Sequence, residues 1–254
     1  MINKLLPYFI YRRFWGDRKK YGLIFDNEDS EWKIWTQKAY TDFYQNTQQK
    51  GMGNLICCME HQVISRVDFS QKKVLEVGPG IIRHLEYIKN KPAVYVLCDI
   101  EHNLIEDAGR QLSNAGIKYK TVLKPERKII KLPFHNNSID IVISFNSLEH
   151  LYPLDGYLEE MKRILCPDGL LVGGIPCEGG LSWGIGRFLT TRRYVHQNYG
   201  INYDKIICWE HPNFADYILE RLNFHFEREY LKLHPFSMLS MDFNLVASFI
   251  YRKI

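Results

Sequence analysis

The apolar positions change their period part-way along the chain. Trp32, Trp35, Ala39 and Phe43 recur at helical spacing behind the capping residues Asp29 and Ser30. Gly51 and Gly53 break that helix, and Leu55, Ile56, Met59, Val63 and Ile64 form the apolar face of another. From residue 72 the apolar residues come in short continuous runs instead. Lys73-Val74-Leu75-Glu76-Val77, Val94-Tyr95-Val96-Leu97-Cys98-Asp99, Ile139-Asp140-Ile141-Val142-Ile143-Ser144 and Leu170-Leu171-Val172-Gly173-Gly174-Ile175 read as buried strands. Helical stretches lie between them. One holds His84, Leu85, Tyr87 and Ile88, one spans 104–112, and one is marked by Tyr157, Leu158, Met161, Ile164 and Leu165 and stops at Cys166-Pro167-Asp168-Gly169. This alternation predicts an α/β fold, a parallel sheet with helices on both faces. The runs at 225–233 and 244–252 have only a loop between them, so they pair as an antiparallel C-terminal hairpin. The expected organisation is a basic, helical N-terminal cap over 1–70 and a sheet-bearing core over 71–254.

Composition removes several classes. With 46% hydrophobic and 24% charged residues over 254 positions, the chain is an ordinary globular protein. Its net charge of +4 is too weak to announce a nucleic-acid binder. The first 20 residues carry Lys4, Arg12, Arg13, Arg18, Lys19 and Lys20 against Asp17 alone. That stretch reads first as a solvated arm and second as a basic, aromatic segment making peripheral contact with an anionic membrane. Six cysteines form no CxxC pair and several lie in apolar runs, which points to reduced thiols and a cytoplasmic location. No run reaches the ~20 apolar residues of a membrane span, and Leu5-Leu6-Pro7-Tyr8-Phe9-Ile10-Tyr11 is too short for a signal sequence.

Two patterns resemble chemistry that the context does not support. Cys57, Cys58, Glu60 and His61 share a helical turn, yet no further ligands stand at zinc-site spacing, so a packed helix and no metal is the expectation. Gly180-Leu181-Ser182-Trp183-Gly184 is a literal G-x-S-x-G, but Pro176, Cys177, Glu178 and Gly179 separate it from the preceding strand. It reads as a glycine-rich loop, not a nucleophile elbow.

The chemistry concentrates at the first strand's end. Gly78 and Gly80 let backbone approach a ligand where a side chain would collide. Asp99, 21 positions beyond Gly78 at the next strand's end, suits two ribose hydroxyls. Glu76 is a polar residue in a buried strand beside the same crevice. A dinucleotide fits poorly, because the third glycine of G-x-G-x-x-G falls on Arg83.

These blocks resemble the class I S-adenosylmethionine-dependent methyltransferases. Val74-Leu75-Glu76-Val77-Gly78-Pro79-Gly80 is similar to that family's first motif. Leu132-Pro133-Phe134 with Asn137-Ser138-Ile139-Asp140, then Ser147-Leu148-Glu149-His150-Leu151, resemble the segments around its fourth strand. Met161-Lys162-Arg163-Ile164-Leu165-Cys166-Pro167-Asp168-Gly169-Leu170-Leu171 resembles its helix, turn and fifth strand. The resemblance covers about residues 72–178 and implies a Rossmann-like, mostly parallel seven-stranded sheet binding S-adenosylmethionine. It implies that Glu76, Gly78, Pro79 and Gly80 line the methionine part, that Asp99 holds the ribose, and that Ile100 and Ile130 border the adenine. Ser144, Phe145 and Asn146 complete that cofactor set. Two departures stand out: Ile82 replaces a frequent third glycine, and Ile129 and Ile130 stand where an acid often meets the adenine amino group.

The methyl acceptor is left to the cap and to an insert at about 178–212. Candidate acceptor-binding residues are Trp35, Tyr40 and Tyr44 in the cap and Glu178, Trp183, Arg187, Arg192, Arg193 and Tyr203 in the insert. Guanidinium groups suit phosphate or carboxylate and aromatics suit sugars or bases. The insert also resembles that of methyltransferases of bacterial surface-polysaccharide biosynthesis, which implies O-methylation of a sugar or an anionic capsule or lipopolysaccharide precursor. His150 is the candidate base, with Tyr194, His196 and His211 as substitutes. Other readings are a nucleic-acid methyltransferase, disfavoured by the absent Asn-Pro-Pro-Tyr type motif, and a non-catalytic cofactor-binding protein.

Overall fold

The computed structural model describes residues 1–39, 58–124 and 129–254. Phe43, Gly51, Gly53, Leu55, Ile56, Cys57 and the acceptor candidates Tyr40 and Tyr44 lie outside the described residues. Seven strands form one sheet in the order β3-β2-β1-β4-β5-β7-β6. They are β1 (Lys73–Val77), β2 (Val94–Asp99), β3 (Tyr119–Leu123), β4 (Ile139–Phe145), β5 (Leu165–Pro176), β6 (Glu227–His234) and β7 (Val246–Arg252). Pairings β1–β2, β2–β3, β1–β4 and β4–β5 are parallel, while β7 runs antiparallel to both β5 and β6. The C-terminal hairpin is as the short connection requires.

Both sheet faces are covered, which is why the central strands read as unbroken apolar runs. Alternation along them assigns each side chain to a face. Val74, Tyr95, Leu97, Ile141 and Ile143 enter one core cluster, while Leu75, Val96, Cys98 and Val142 enter the other. Among the described residues, the N-terminal segment and the first half carry α1 (Tyr8–Trp15), α2 (Arg18–Tyr21), α3 (Ser30–Ile34) and α4 (His102–Asn114), with a further helical turn at 58–61. Five more follow: α5 (Leu154–Ile164), α6 (Leu181–Leu189), α7 (Thr191–Tyr199), α8 (Tyr203–Glu210) and α9 (Ala215–His225). Asp29 caps α3 as its position suggests, accepting from the Trp32 N–H at 3.0 Å.

The structure corrects three expectations and adds a strand that the apolar pattern did not mark. No helix follows β1; residues 81–84 are irregular and only a 3₁₀ turn forms at Leu85–Tyr87. Ile82 and His84 are both buried, an i,i+2 spacing that pins the segment extended against the sheet. Strand β3 carries no apolar run because it is an edge strand, exposed along most of its length. Gly180 is the N-cap of α6, so Ser182 opens a helix instead of lying in a loop. The basic N-terminus is not a solvated arm. Trp15 is buried, Lys4 pairs with Asp216 at 2.6 Å, and the Arg18 guanidinium donates to the carbonyls of His211 (2.7 Å) and Pro212 (2.8 Å).

Cap and insert share a third core. Trp32, Trp35 and Ala39 pack with Val195, Ile201, Tyr203, Ile206, Ile207, Cys208 and Trp209. The cysteines Cys58, Cys98, Cys166, Cys177 and Cys208 are free thiols. No described helix is long and apolar enough to cross a membrane.

Candidate active site

In a doubly wound sheet, ligands gather beyond the carboxyl ends of the parallel strands. Here β1, β2, β4 and β5 each deliver a loop to that edge. The β1 turn is the tightest. Gly78 has φ +69° and donates to the Cys98 carbonyl at 2.9 Å, and a Cβ there would meet the Ser147 Cβ at 2.8 Å. Gly80, at φ +48°, also lies in the left-handed region. Ser147, just beyond β4, locks the two strand ends together: its hydroxyl donates to the Val77 carbonyl (3.0 Å) and meets Ser144 Oγ at 2.5 Å.

Asp99 ends β2, and its Oδ1 accepts the N–H groups of Ile100 (2.7 Å) and Glu101 (3.0 Å). The carboxylate is thereby held at the crevice and half-exposed. Glu76 is buried and accepts the Tyr95 hydroxyl at 2.7 Å, while His84 Nε2 lies 2.9 Å from that hydroxyl. Desolvation pushes the Glu76 carboxyl up to about 8 and holds His84 well below the usual imidazole range. Asn146, at φ +48°, donates to Glu60 Oε1 at 2.7 Å. Phe145 packs edge-on against His61 with ring centroids 4.3 Å apart. Burial raises Glu60 to about 8 and lowers His61 to about 4. Ile100 is half-buried next to Asp99, and Ile130 packs over Gly156 of α5. A glycine turn that leaves no room for side chains beside a pinned carboxylate fits S-adenosylmethionine.

A second group forms where the β4 and β5 loops meet the insert. Glu149 and His150 follow β4, Glu178 follows β5, and Glu210 and His211 end α8. His211 Nδ1 pairs with Glu178. His150 Nδ1 lies 2.7 Å from the Glu210 carbonyl and 3.4 Å from its Oε1, and the two imidazoles meet edge to face at 4.6 Å. The Trp35 indole N–H donates to Glu210 Oε2 at 3.2 Å. Desolvation raises Glu149 to about 7; His211 is raised to about 9, its own desolvation being outweighed by Glu178, Glu149 and Glu210. The loop holding His211 is stitched down from several sides. Asn213 donates to the carbonyls of Leu148 (3.0 Å) and Leu151 (2.7 Å), and the Ala215 N–H to that of Glu178 (3.0 Å).

The structure therefore brings His150, His211, Glu178, Trp35 and Tyr203 together and leaves other candidates elsewhere. Arg187 and Arg192 both bind Asp204, and Arg187 also donates to the carbonyls of Arg13 and Phe14. They join α1, α6, α7 and α8 instead of facing the cluster. Trp183 donates to the Leu245 carbonyl at 2.7 Å, and Tyr194 packs against Tyr199. Arg193 and His196 are exposed on α7. Sequence reasoning missed Glu149, Glu210 and Ser147 as members of the site, although all three stand beside quoted residues. It also passed over Glu60, His61 and Tyr95, since nothing in their spacing tells which face of the sheet they meet.

Known proteins agree with this fold. Residues 75–173 match the family model described as a methyltransferase domain. A fatty-acid O-methyltransferase of Mycolicibacterium smegmatis is 31% identical over 112 residues, 43% of this chain and 39% of that protein. Methyltransferase GfsG of Streptomyces halstedii is 28% identical over 115 residues, 44% of this chain and 41% of that protein. The chain thus spans about two fifths of the length of the curated relatives it matches. The PH0226 protein of Pyrococcus horikoshii superposes with a TM-score of 0.56 at 14% identity, over 84% of this chain and 99% of that one. A SAM-dependent methyltransferase of Methanosarcina mazei gives 0.52 at 16% identity, over 74% and 94%. At such identities the likeness establishes a shared fold.

Proposed function

We propose that this chain, whose residues 75–173 match a methyltransferase domain, is an S-adenosylmethionine-dependent O-methyltransferase acting on a hydroxyl-bearing small molecule. One observation carries the reading: the glycine turn touches Ser147, and the imidazole–carboxylate cluster begins two residues later at Glu149. A cofactor crevice and a polar acceptor site are thus contiguous. Bound there, the cofactor supplies a methyl group on a sulfonium, so the protein needs chiefly to align a nucleophile and exclude water. Glu76, Gly78, Pro79, Gly80 and Asp99 hold the cofactor, with Ser144, Phe145 and Asn146 beneath it. The cluster around His150 binds the acceptor oxygen and draws off its proton.

The partners of two of the candidate arginines support a neutral acceptor. Arg187 and Arg192 are engaged with Asp204, whereas three buried carboxylates face the acceptor side, which disfavours a phosphate and favours a neutral hydroxyl such as that of a sugar. A lipid-like acceptor is the second reading. One relative is named a fatty-acid O-methyltransferase, and Ile185 and Leu189 expose apolar surface on α6. Incubation with labelled S-adenosylmethionine and panels of sugars, hydroxy-lipids and phosphorylated precursors tests this. Label transferred to a hydroxyl supports the reading; label transferred only to phosphate or to RNA overturns it.

A further inference from the structure

Glu60 brings a carboxyl of the N-terminal segment to the ends of β4 and β5. It lies in the helical turn at 58–61, and Val63 and Ile64 just beyond pack in the same core as Phe145 and Val172. Its side chain is fully buried. The two carboxyl oxygens have different surroundings. Oε1 accepts the Asn146 side-chain amide at 2.7 Å. Oε2 lies over β5, 2.6 Å from where a Cβ on Gly174 would stand, with no hydrogen-bond partner among the described residues. Gly174 thus leaves the room that this carboxyl fills.

Asn146 is fixed at both its backbone and its side chain. Its φ of +48° lies in the left-handed region that asparagine tolerates, and its N–H donates to the Gly174 carbonyl at 2.9 Å. Ser147, the next residue, lies against the Gly78 turn. Asn146 is half-buried between buried neighbours at the carboxyl end of β4, where the crevice opens. An ionised carboxylate only accepts, so Glu60 in that form takes the amide nitrogen and turns Oδ1 away from itself. Oδ1 has no partner among the described residues. A carbonyl backed through its own amide by a carboxylate is a strengthened acceptor for a positive group. The titratable groups facing Glu60 are Glu149 from the β4 loop, Cys177 after β5 and Arg83 after β1. Burial, its largest influence, raises Glu60 to about 8, with Glu149 acting alongside and the Asn146 bond and Arg83 opposing. A cation arriving at the crevice favours the ionised form.

We propose that Glu60 is a positioning residue for the cofactor's positive charge: it holds the Asn146 amide with Oδ1 toward the crevice, where Oδ1 meets the sulfonium or the ammonium of S-adenosylmethionine. This rests on the cofactor crevice placed at the Gly78 turn above. An anionic group fits poorly at the same place, because Glu60 and Glu149 stand buried behind it.

The test titrates three ligands into the full chain by calorimetry. S-adenosylmethionine carries sulfonium and ammonium, S-adenosylhomocysteine carries the ammonium alone, and methylthioadenosine carries neither. Glu60→Gln keeps an oxygen for the Asn146 amide and removes the charge. Asn146→Gly removes Oδ1 at a φ that glycine accepts. Each should weaken S-adenosylmethionine about ten-fold or more, the size of a hydrogen bond to a charged group, and leave methylthioadenosine unaltered. S-adenosylhomocysteine weakened equally assigns the ammonium to Asn146, and S-adenosylhomocysteine unaltered assigns the sulfonium; both support the proposal. S-adenosylmethionine unaltered in either variant overturns it. So does an equal loss for all three ligands, which is what a distorted crevice without a charge-specific contact would give. A wild-type chain that binds none of the three fails at the crevice itself and removes the methyltransferase reading as well.

Discussion

Gly78 is the residue at which backbone and ligand requirements coincide. Its φ of +69° is disfavoured for any residue with a Cβ, and the added atom would lie 2.8 Å from the Ser147 Cβ. Gly78→Ala should therefore cost ~2 kcal/mol or more in urea denaturation and abolish cofactor binding in calorimetry. Asp99 makes the complementary case. Asp99→Ala removes an acceptor of hydrogen bonds without changing the sheet, and should weaken S-adenosylmethionine by ~1–3 kcal/mol. An unaltered dissociation constant in a folded Asp99→Ala protein would remove the residue from the site. His150→Ala should lower turnover by ~10²–10⁴-fold, the usual size of an acid–base or activating contribution, with cofactor affinity kept.

Among the elements, the insert helices depend on a charged joint. Arg187 is buried, pairs with Asp204 at 3.0 Å, and ties α6 to α8 and to the carbonyls ending α1. Removing one partner of a buried pair strands the other, so Arg187→Ala should destabilise by ~3–5 kcal/mol in chemical denaturation. Arg192, more exposed on the same carboxylate, should contribute ~1 kcal/mol or less. If the two substitutions cost the same, the joint is not the organising contact. The loop at 210–213 is held otherwise: Arg18 donates to its His211 and Pro212 carbonyls, and its own Asn213 amide donates to the carbonyls of Leu148 and Leu151. That is how an N-terminal helix positions His211, by holding its backbone carbonyl.

The whole molecule should respond to pH in one direction above neutrality. Glu60 and Glu76, near 8 in the fold and 4.5 as reference, keep protons that the unfolded chain has released. Their contribution is complete below about 4.5 and is lost as pH rises through about 8. Glu149, near 7, and His211, near 9, act with the same sign. His61, near 4, opposes them, but only below 6.5, where the unfolded imidazole charges. The cofactor-free protein should thus lose thermal stability between about pH 6.5 and 9, and Glu76→Gln should flatten that slope. A rising melting temperature over this range would contradict the burial of these carboxyls.

The sheet was legible in the chain because period is a local property. Unbroken apolar runs mark β1, β2, β4 and β5 as covered on both faces, and the short C-terminal connection requires a hairpin. The glycine turn and Asp99 were legible for the same reason, since a tight turn and a strand-end acid declare themselves within some twenty residues. Strand β3, open to solvent, left no such trace. Neither did the extended segment after β1, which Ile82 and His84 hold through contacts distant in sequence. The acceptor side needed the fold. Glu149 and Glu178 come from the segments after β4 and β5 and Glu210 from the end of α8, and Asp204 takes up guanidinium groups whose spacing alone suggested anion binding. Which carboxylate meets which cation is decided by packing across the cap, the insert and the strand ends, and no periodicity along one segment encodes it.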